Sequence, residues 1–90
     1  MDAVSDKAIC AAVNMAILHA HRLGEPRVLE LPRHECGRLR CAGDPADWSP
    51  GPPCTYRGLR VTETDEPDGR VLVWDRARET QMIQPIRWPH

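Results

Sequence analysis

Ninety residues carrying a net charge of −1, with charges of both signs interspersed, leave room for one small domain spanning residues 1–90. The same balance excludes the basic stripe of a nucleic-acid binder and the dense acidic surface of a nucleic-acid mimic. Large apolar side chains are scarce: there is no Phe, one Tyr (Tyr56) and three Trp (Trp48, Trp74 and Trp88).

A chain this short buries only about 60–65% of its unfolded surface, and its alanines add little area at about 25 cal/mol per Å². An oligomer or a stable complex is therefore expected more readily than for an average domain of this length. Asp2 follows Met1 with no basic segment, and the first apolar stretch is interrupted by Asn14, His19 and His21, unlike a secretory signal. No apolar run approaches the roughly 20 residues that span a bilayer. The expected location is cytoplasmic, where four cysteines stay reduced.

The first element is an amphipathic helix over about Asp6–Leu23. Ser5 or Asp6 caps it, Gly24 stops it, and Pro26 prevents its resumption. At about 100° per residue, Ile9, Ala12, Val13, Ala16, Ile17, Ala20 and Leu23 share a broad apolar face, with Lys7, Asn14, His21 and Arg22 opposite. Met15 and Leu18 fall near the polar side, so Met15, Leu18 and Arg22 form a candidate partner-binding strip. The ridge Ala8, Ala12, Ala16, Ala20 permits close packing, within the domain or against a second copy in a homodimer seam.

Arg27–Leu31 alternates apolar and polar residues and predicts a short strand. A second short helix follows from Pro32 to about Cys41, ended by Gly43 and weakened at Gly37. Residues 43–53 are too rich in Pro and Gly for a helix or central strand and predict a surface loop, with Trp48 anchoring it to the body. Two strands, about Tyr56–Thr64 and Arg70–Trp74, are predicted to form a hairpin across Asp65–Gly69. There Pro67 presets the turn and Gly69 tolerates positive φ. Either Val71 and Val73 or Leu72 and Trp74 face inward. Glu63, Asp65, Glu66 and Asp68 read as a solvated turn. Residues 76–90 predict a last edge strand or a tail that orders on a partner. The fold class is α+β: an N-terminal amphipathic helix packed on a small antiparallel sheet, with a second short helix.

Chemistry is sparse. His34, Cys36, Cys41 and Cys54 supply the residue types of a Cys₃His zinc site. Their spacing argues against one, because on a helix Cys36 and Cys41 point about 140° apart. Buried thiols acting as small hydrophobes are the expected state, with a Cys41–Cys54 disulfide as an alternative. His34 and Cys36, two apart on a helix, diverge too far for a nucleophile and its base. His19 and His21 are about 200° apart on theirs. Asp44 and Asp47 sit in the loop with no partner set. No metal, cofactor or catalytic residue is assigned, and a non-enzymatic protein-binding module is expected.

Tyr56-Arg-Gly-Leu-Arg-Val61, followed by Asp65, Pro67, Gly69 and Val71, resembles a strand-turn-strand segment in the peripheral domain of tailed-phage major capsid proteins and in small phage accessory proteins. The preceding order, a strand at Val28–Leu31 and a helix opening at Pro32, is similar. The resemblance covers at most residues 27–74 and implies no catalytic residues. It implies a phage or mobile-element origin and a larger protein or complex as partner. An inhibitor of host defence of the anti-CRISPR type, or a virion accessory protein, would fit it; a zinc-stabilised domain contacting protein or nucleic acid is the remaining reading. Arg and Trp dominate binding energy at many interfaces, so Arg57, Arg60 and Trp74 near the strand edge join Met15, Leu18 and Arg22 as candidate contacts. Neither membrane insertion nor direct nucleic-acid contact is expected.

Overall fold

A computed structural model describes residues 5–89 as an α+β fold. Helix α1 spans Asp6–Leu23, and Ser5 proves to be its cap, its hydroxyl accepting from the Ala8 amide at 3.1 Å. Ile9, Val13, Ala16, Ile17 and Ala20 are its buried residues, the face that apolar periodicity predicts. At the other end the Gly24 amide donates to the Ala20 carbonyl. A Cβ on Gly24 would collide with the main-chain carbonyl of Trp74, so glycine here lets the chain turn straight from helix into sheet.

Strand β1 (Glu25–Pro32) leads into α2 (Arg33–Ala42). Pro32 closes the strand and occupies the N-cap position, where the absence of its N–H costs the helix nothing. The loop after Gly43 holds a 3₁₀ turn at Pro45–Asp47, capped by Asp44, and the two-residue strand β2 (Trp48–Ser49). Then come β3 (Thr55–Tyr56), β4 (Leu59–Thr64), β5 (Arg70–Asp75) and β6 (Thr80–Pro85).

These strands form one mixed sheet in the order β2-β3-β4-β1-β5-β6. The expected α+β class stands, but two details of the sheet differ from expectation. First, the sheet is not wholly antiparallel: β1 runs parallel to β4 and antiparallel to β5. Second, β4 and β5 do not form a hairpin. Strand β1 lies between them, and Asp65–Gly69 bridges over its end. The turn chemistry at Pro67 and Gly69 is genuine, yet local turn signals carry no information about a third strand inserted between two neighbours.

The hairpins lie elsewhere. Arg57 and Gly58, with φ of 51° and 82°, make the two-residue reversal between β3 and β4, a conformation suited to glycine at the second position. This reversal splits the predicted Tyr56–Thr64 strand in two. Residues 76–79 join β5 to β6, and the final segment contributes an edge strand.

Both helices lie on one face of the sheet, α1 over β5, β6 and β1, and α2 over β1 and β4. The core between the layers contains Leu29, Leu31, Leu39, Tyr56, Leu59, Val71 and Val73 together with the inner face of α1. Val71 and Val73 thus face inward, and Leu72 and Trp74 face out. Tyr56 is fully buried. Its hydroxyl donates to Asn14 Oδ1 at 2.7 Å, and Asn14 Nδ2 donates to Cys10 Sγ at 3.6 Å. Asn14, expected on the solvent side of the helix, instead turns toward this hydroxyl because a buried phenol must have a partner. Burial raises the Tyr56 pKa beyond the ordinary tyrosine range, with Cys10 adding to the shift.

Removing the hydroxyl in Tyr56→Phe leaves Asn14 Oδ1 without its hydrogen-bond donor. A loss of about 1–2 kcal/mol in unfolding free energy is expected from urea denaturation. An unchanged midpoint and slope would show that this tie contributes nothing.

Candidate uncovered sheet face and α1 flank

With both helices on one side, the opposite face of the sheet has no covering layer among the described residues. Strand registers define what it presents. Ile83 stands opposite Leu72, Leu72 opposite Val28, Val28 opposite Arg60, and Arg60 opposite Thr55. Directly opposed residues share a face, so these five side chains form one row across five strands. A second row runs Thr62, Glu30, Arg70, Pro85. Trp74 lies beside Gln81 at the end of β5.

A register shift between Pro26 and Val28 displaces Arg27, whose guanidinium lies over the Trp74 ring at 5.3 Å. The cation covers the indole without removing the surface from solvent, an arrangement of the cation–π type. Glu30 and Arg70 neutralise each other through a short side-chain hydrogen bond, so the middle of the face carries little net charge. Beside them the Thr62 hydroxyl is buried and lacks a hydrogen-bond partner. Arg60 is exposed and makes no ion pair among the described residues.

Of the candidates named from sequence, Arg60 and Trp74 therefore share this face, with β1 between their strands. Arg57 does not join them. Its side chain pairs with Asp47 at 3.2 Å and lies over Tyr56, while its amide donates to the Asp47 carbonyl at 2.7 Å. Arg57 thus fastens the 43–53 loop to the sheet. Trp48 does the same, its ring centroid 5.0 Å from that of Tyr56, as the expectation of an anchor required. Leu72, Val28, Ile83 and Arg27 escaped sequence reading. Their alternation was visible, but which alternate residues face outward depends on the side the helices occupy.

The strip Met15, Leu18, Arg22 lies on a separate surface, the exposed side of α1, and of the three Met15 is the one that borders β6. Met15 and Leu18 are 52% and 53% exposed, and with Ile83 at 52% they are the large hydrophobic side chains left in solvent. A groove of about 360 Å³ runs between this flank and β6, lined by Ala8, Ala12 and Met15 on one side and by Gln84 and Pro85 on the other. Along the alanine ridge, Ala16 and Ala20 are buried, while Ala8, Ala12 and the edge of Ala16 border the groove.

The possible zinc ligands are not gathered. Among the described residues no three His, Cys, Asp or Glu side chains converge as metal ligands would, and the four cysteines are free thiols. Cys36 is buried under α2, Cys41 is exposed, and Cys54 is half-buried with the Arg40 guanidinium 3.8 Å from its sulfur. Burial pushes the Cys36 thiol pKa up, against an opposing contribution from Arg40. His19 borders the α1 groove, and His21 is exposed on another side of that helix. Asp47 is spent on Arg57, and Asp44 caps the 3₁₀ turn. Glu63 and Asp65 in the acidic segment pair with Arg33 at 3.3 and 3.8 Å. No helix among the described residues is long and apolar enough to cross a membrane.

Thiol reactivity follows from this placement, since thiolate fraction and access control alkylation. Iodoacetamide on the native protein at pH 8 is expected to label Cys41 first and Cys36 last, read by peptide mass spectrometry over time. Equal labelling of both would contradict the burial of Cys36. Comparison with family models, curated proteins and solved structures gives no match.

Proposed function

We propose that the chain is a non-enzymatic protein-binding module whose contact surface is the uncovered face of its sheet. The observation that carries this reading is the row Arg60, Val28, Leu72, Ile83, flanked by Trp74 beneath Arg27. An apolar centre rimmed by polar and cationic groups is the anatomy of a protein interface, and Arg and Trp supply the anchors that dominate binding energy. The internal pairing of Glu30 with Arg70 leaves Arg60 as the cation to be matched. The complementary partner surface is accordingly apolar with a carboxylate opposite Arg60.

Such a module acts by occupying part of a larger protein or complex. Steric occupation is the mode of a phage-encoded inhibitor of host defence, the anti-CRISPR type included, and equally of a virion accessory protein. Neither requires a catalytic group or a metal.

Affinity capture from the native host provides the test, comparing the unaltered chain with Leu72→Glu and Arg60→Glu. Both positions face solvent on the sheet, so circular dichroism is expected to be unchanged while the captured partner is lost. Capture of the same partner in the same yield by both folded variants would remove this face as the contact surface.

A further inference from the structure

We propose that Cys54 and Cys36 form a reversible oxidation site, at which a hydroperoxide converts the two thiols into a disulfide that ties α2 to the sheet.

Both sulfurs face the same space between the helix and sheet layers. The Cys54 carbonyl accepts from the Val61 amide at 3.0 Å, continuing the register that pairs Thr55 with Arg60 and Tyr56 with Leu59. Cys54 therefore stands opposite Val61, on the face it shares with the buried Tyr56 and Leu59. That is the face α2 covers. From the other side, Cys36 and Leu39 are the buried residues of α2.

Two contacts fix where α2 crosses this part of the sheet. Arg33 pairs with Glu63 at 3.3 Å, and the Arg40 guanidinium lies 3.8 Å from the Cys54 sulfur. Val61 stands between these points, two residues before Glu63 on β4 and opposite Cys54. Cys36 lies between Arg33 and Arg40 on one helical stripe, three residues from the first and four from the second. Its side chain thus descends toward Val61 and Cys54. Titration of the Cys36 thiol reflects the same neighbours: burial raises its pKa, Arg40 lowers it in part, and Glu63 and Cys54 raise it further.

The other cysteines are placed elsewhere. Cys41 points about 140° away from Cys36 on the helix and is exposed. Cys10 belongs to the cluster of Tyr56 and Asn14 against α1.

The two thiols divide the chemistry. Cys54 is half-buried and opens on a cavity of about 400 Å³ that Arg40, Trp48 and Ser49 also line, so a small hydroperoxide reaches it. Access and a neighbouring cation distinguish an oxidisable thiol from an inert one. Cys36 is only 1% exposed, closed to solvent but not to Cys54. In the first step the Cys54 sulfur, as thiolate, attacks one oxygen of hydrogen peroxide. An S–O bond forms, the O–O bond breaks, and the other oxygen leaves as water with the thiol's proton. The Cys36 sulfur then attacks the Cys54 sulfenic acid. An S–S bond forms, the S–O bond breaks, and hydroxide leaves as water with the Cys36 proton. Two thiols are oxidised and one peroxide is reduced to two waters. A disulfide needs Cα atoms about 5.5–6 Å apart, closer than packed layers usually stand, so closure draws the Cys54 end of the loop toward α2.

Treatment of the full chain with hydrogen peroxide at pH 8 tests the proposal, with Cys41→Ser removing the exposed thiol. Trypsin separates Cys36 from Cys54 at Arg38 and Arg40, so mass spectrometry of the digest, alkylated in denaturant, reads the link directly. Peptides 34–38 and 41–57 are expected to be joined, and to separate on adding dithiothreitol. The linked protein is expected to melt about 10 °C or more above the reduced one, because ring closure restricts the unfolded chain. A further Cys54→Ser is expected to abolish the link and leave Cys36 reduced. A further Cys36→Ser is expected to leave a dimedone-reactive sulfenic acid on Cys54. If either added substitution disturbs folding, the digest of the Cys41→Ser chain decides alone. Cys54 driven to sulfinic acid with Cys36 still alkylated would overturn the proposal. So would a link from either thiol to Cys10, or both thiols remaining reduced.

Discussion

Everything in this fold is arranged around β1, which pairs in parallel with β4 and antiparallel with β5. Its inner residues Leu29 and Leu31 are fully buried, and its outer residues Val28 and Glu30 lie at the middle of the uncovered face. Pairing on both sides satisfies the main chain of a strand with few large side chains to bury, and backbone groups left unpaired in that position would be costly. The β1–α2 junction at Pro32 then sends the second helix back over the same side as the first. One strand thus fixes which face is core and which is left open.

The thin supply of large apolar residues explains why the fold has two layers. One helix layer and one sheet face consume the buried aliphatics and the sole tyrosine, and among the described residues no third element covers the other side. Polar ties replace missing bulk at several points. Tyr56 reaches Asn14 through the core, Arg57 holds Asp47, and Arg76 holds Glu25 with bonds of 3.1 and 2.9 Å. The last of these keeps the Glu25 carboxyl below its ordinary pKa, chiefly through the Arg76 hydrogen bond. Its contribution to stability is therefore present above the unfolded carboxylate pKa and fades as the pH falls through the folded one.

Two surfaces follow from this economy, and they differ in kind. The sheet face combines a cation, an indole and aliphatics, chemistry suited to a different protein with a carboxylate to offer. The α1 surface beside β6 instead mixes the exposed Met15 with alanines, His19 and Arg87.

Local and periodic features were legible in the sequence. The α1 boundaries, its buried face and the position of α2 all follow from caps, breakers and spacing. The exposed Met15 and Leu18 follow from the angular position of each side chain on the helix. Trp48 as an anchor, and the divergence of Cys36 from Cys41, are likewise consequences of short-range geometry. The insertion of β1 between β4 and β5, the true hairpin at residues 76–79 and the diversion of Arg57 to Asp47 were decided by tertiary structure. Each depends on contacts between residues far apart in the chain, which turn propensity does not encode. The outward orientation of Leu72 and Trp74 belongs with them: alternation divides a strand into two faces, but only the packing of the helices determines which of the two meets water.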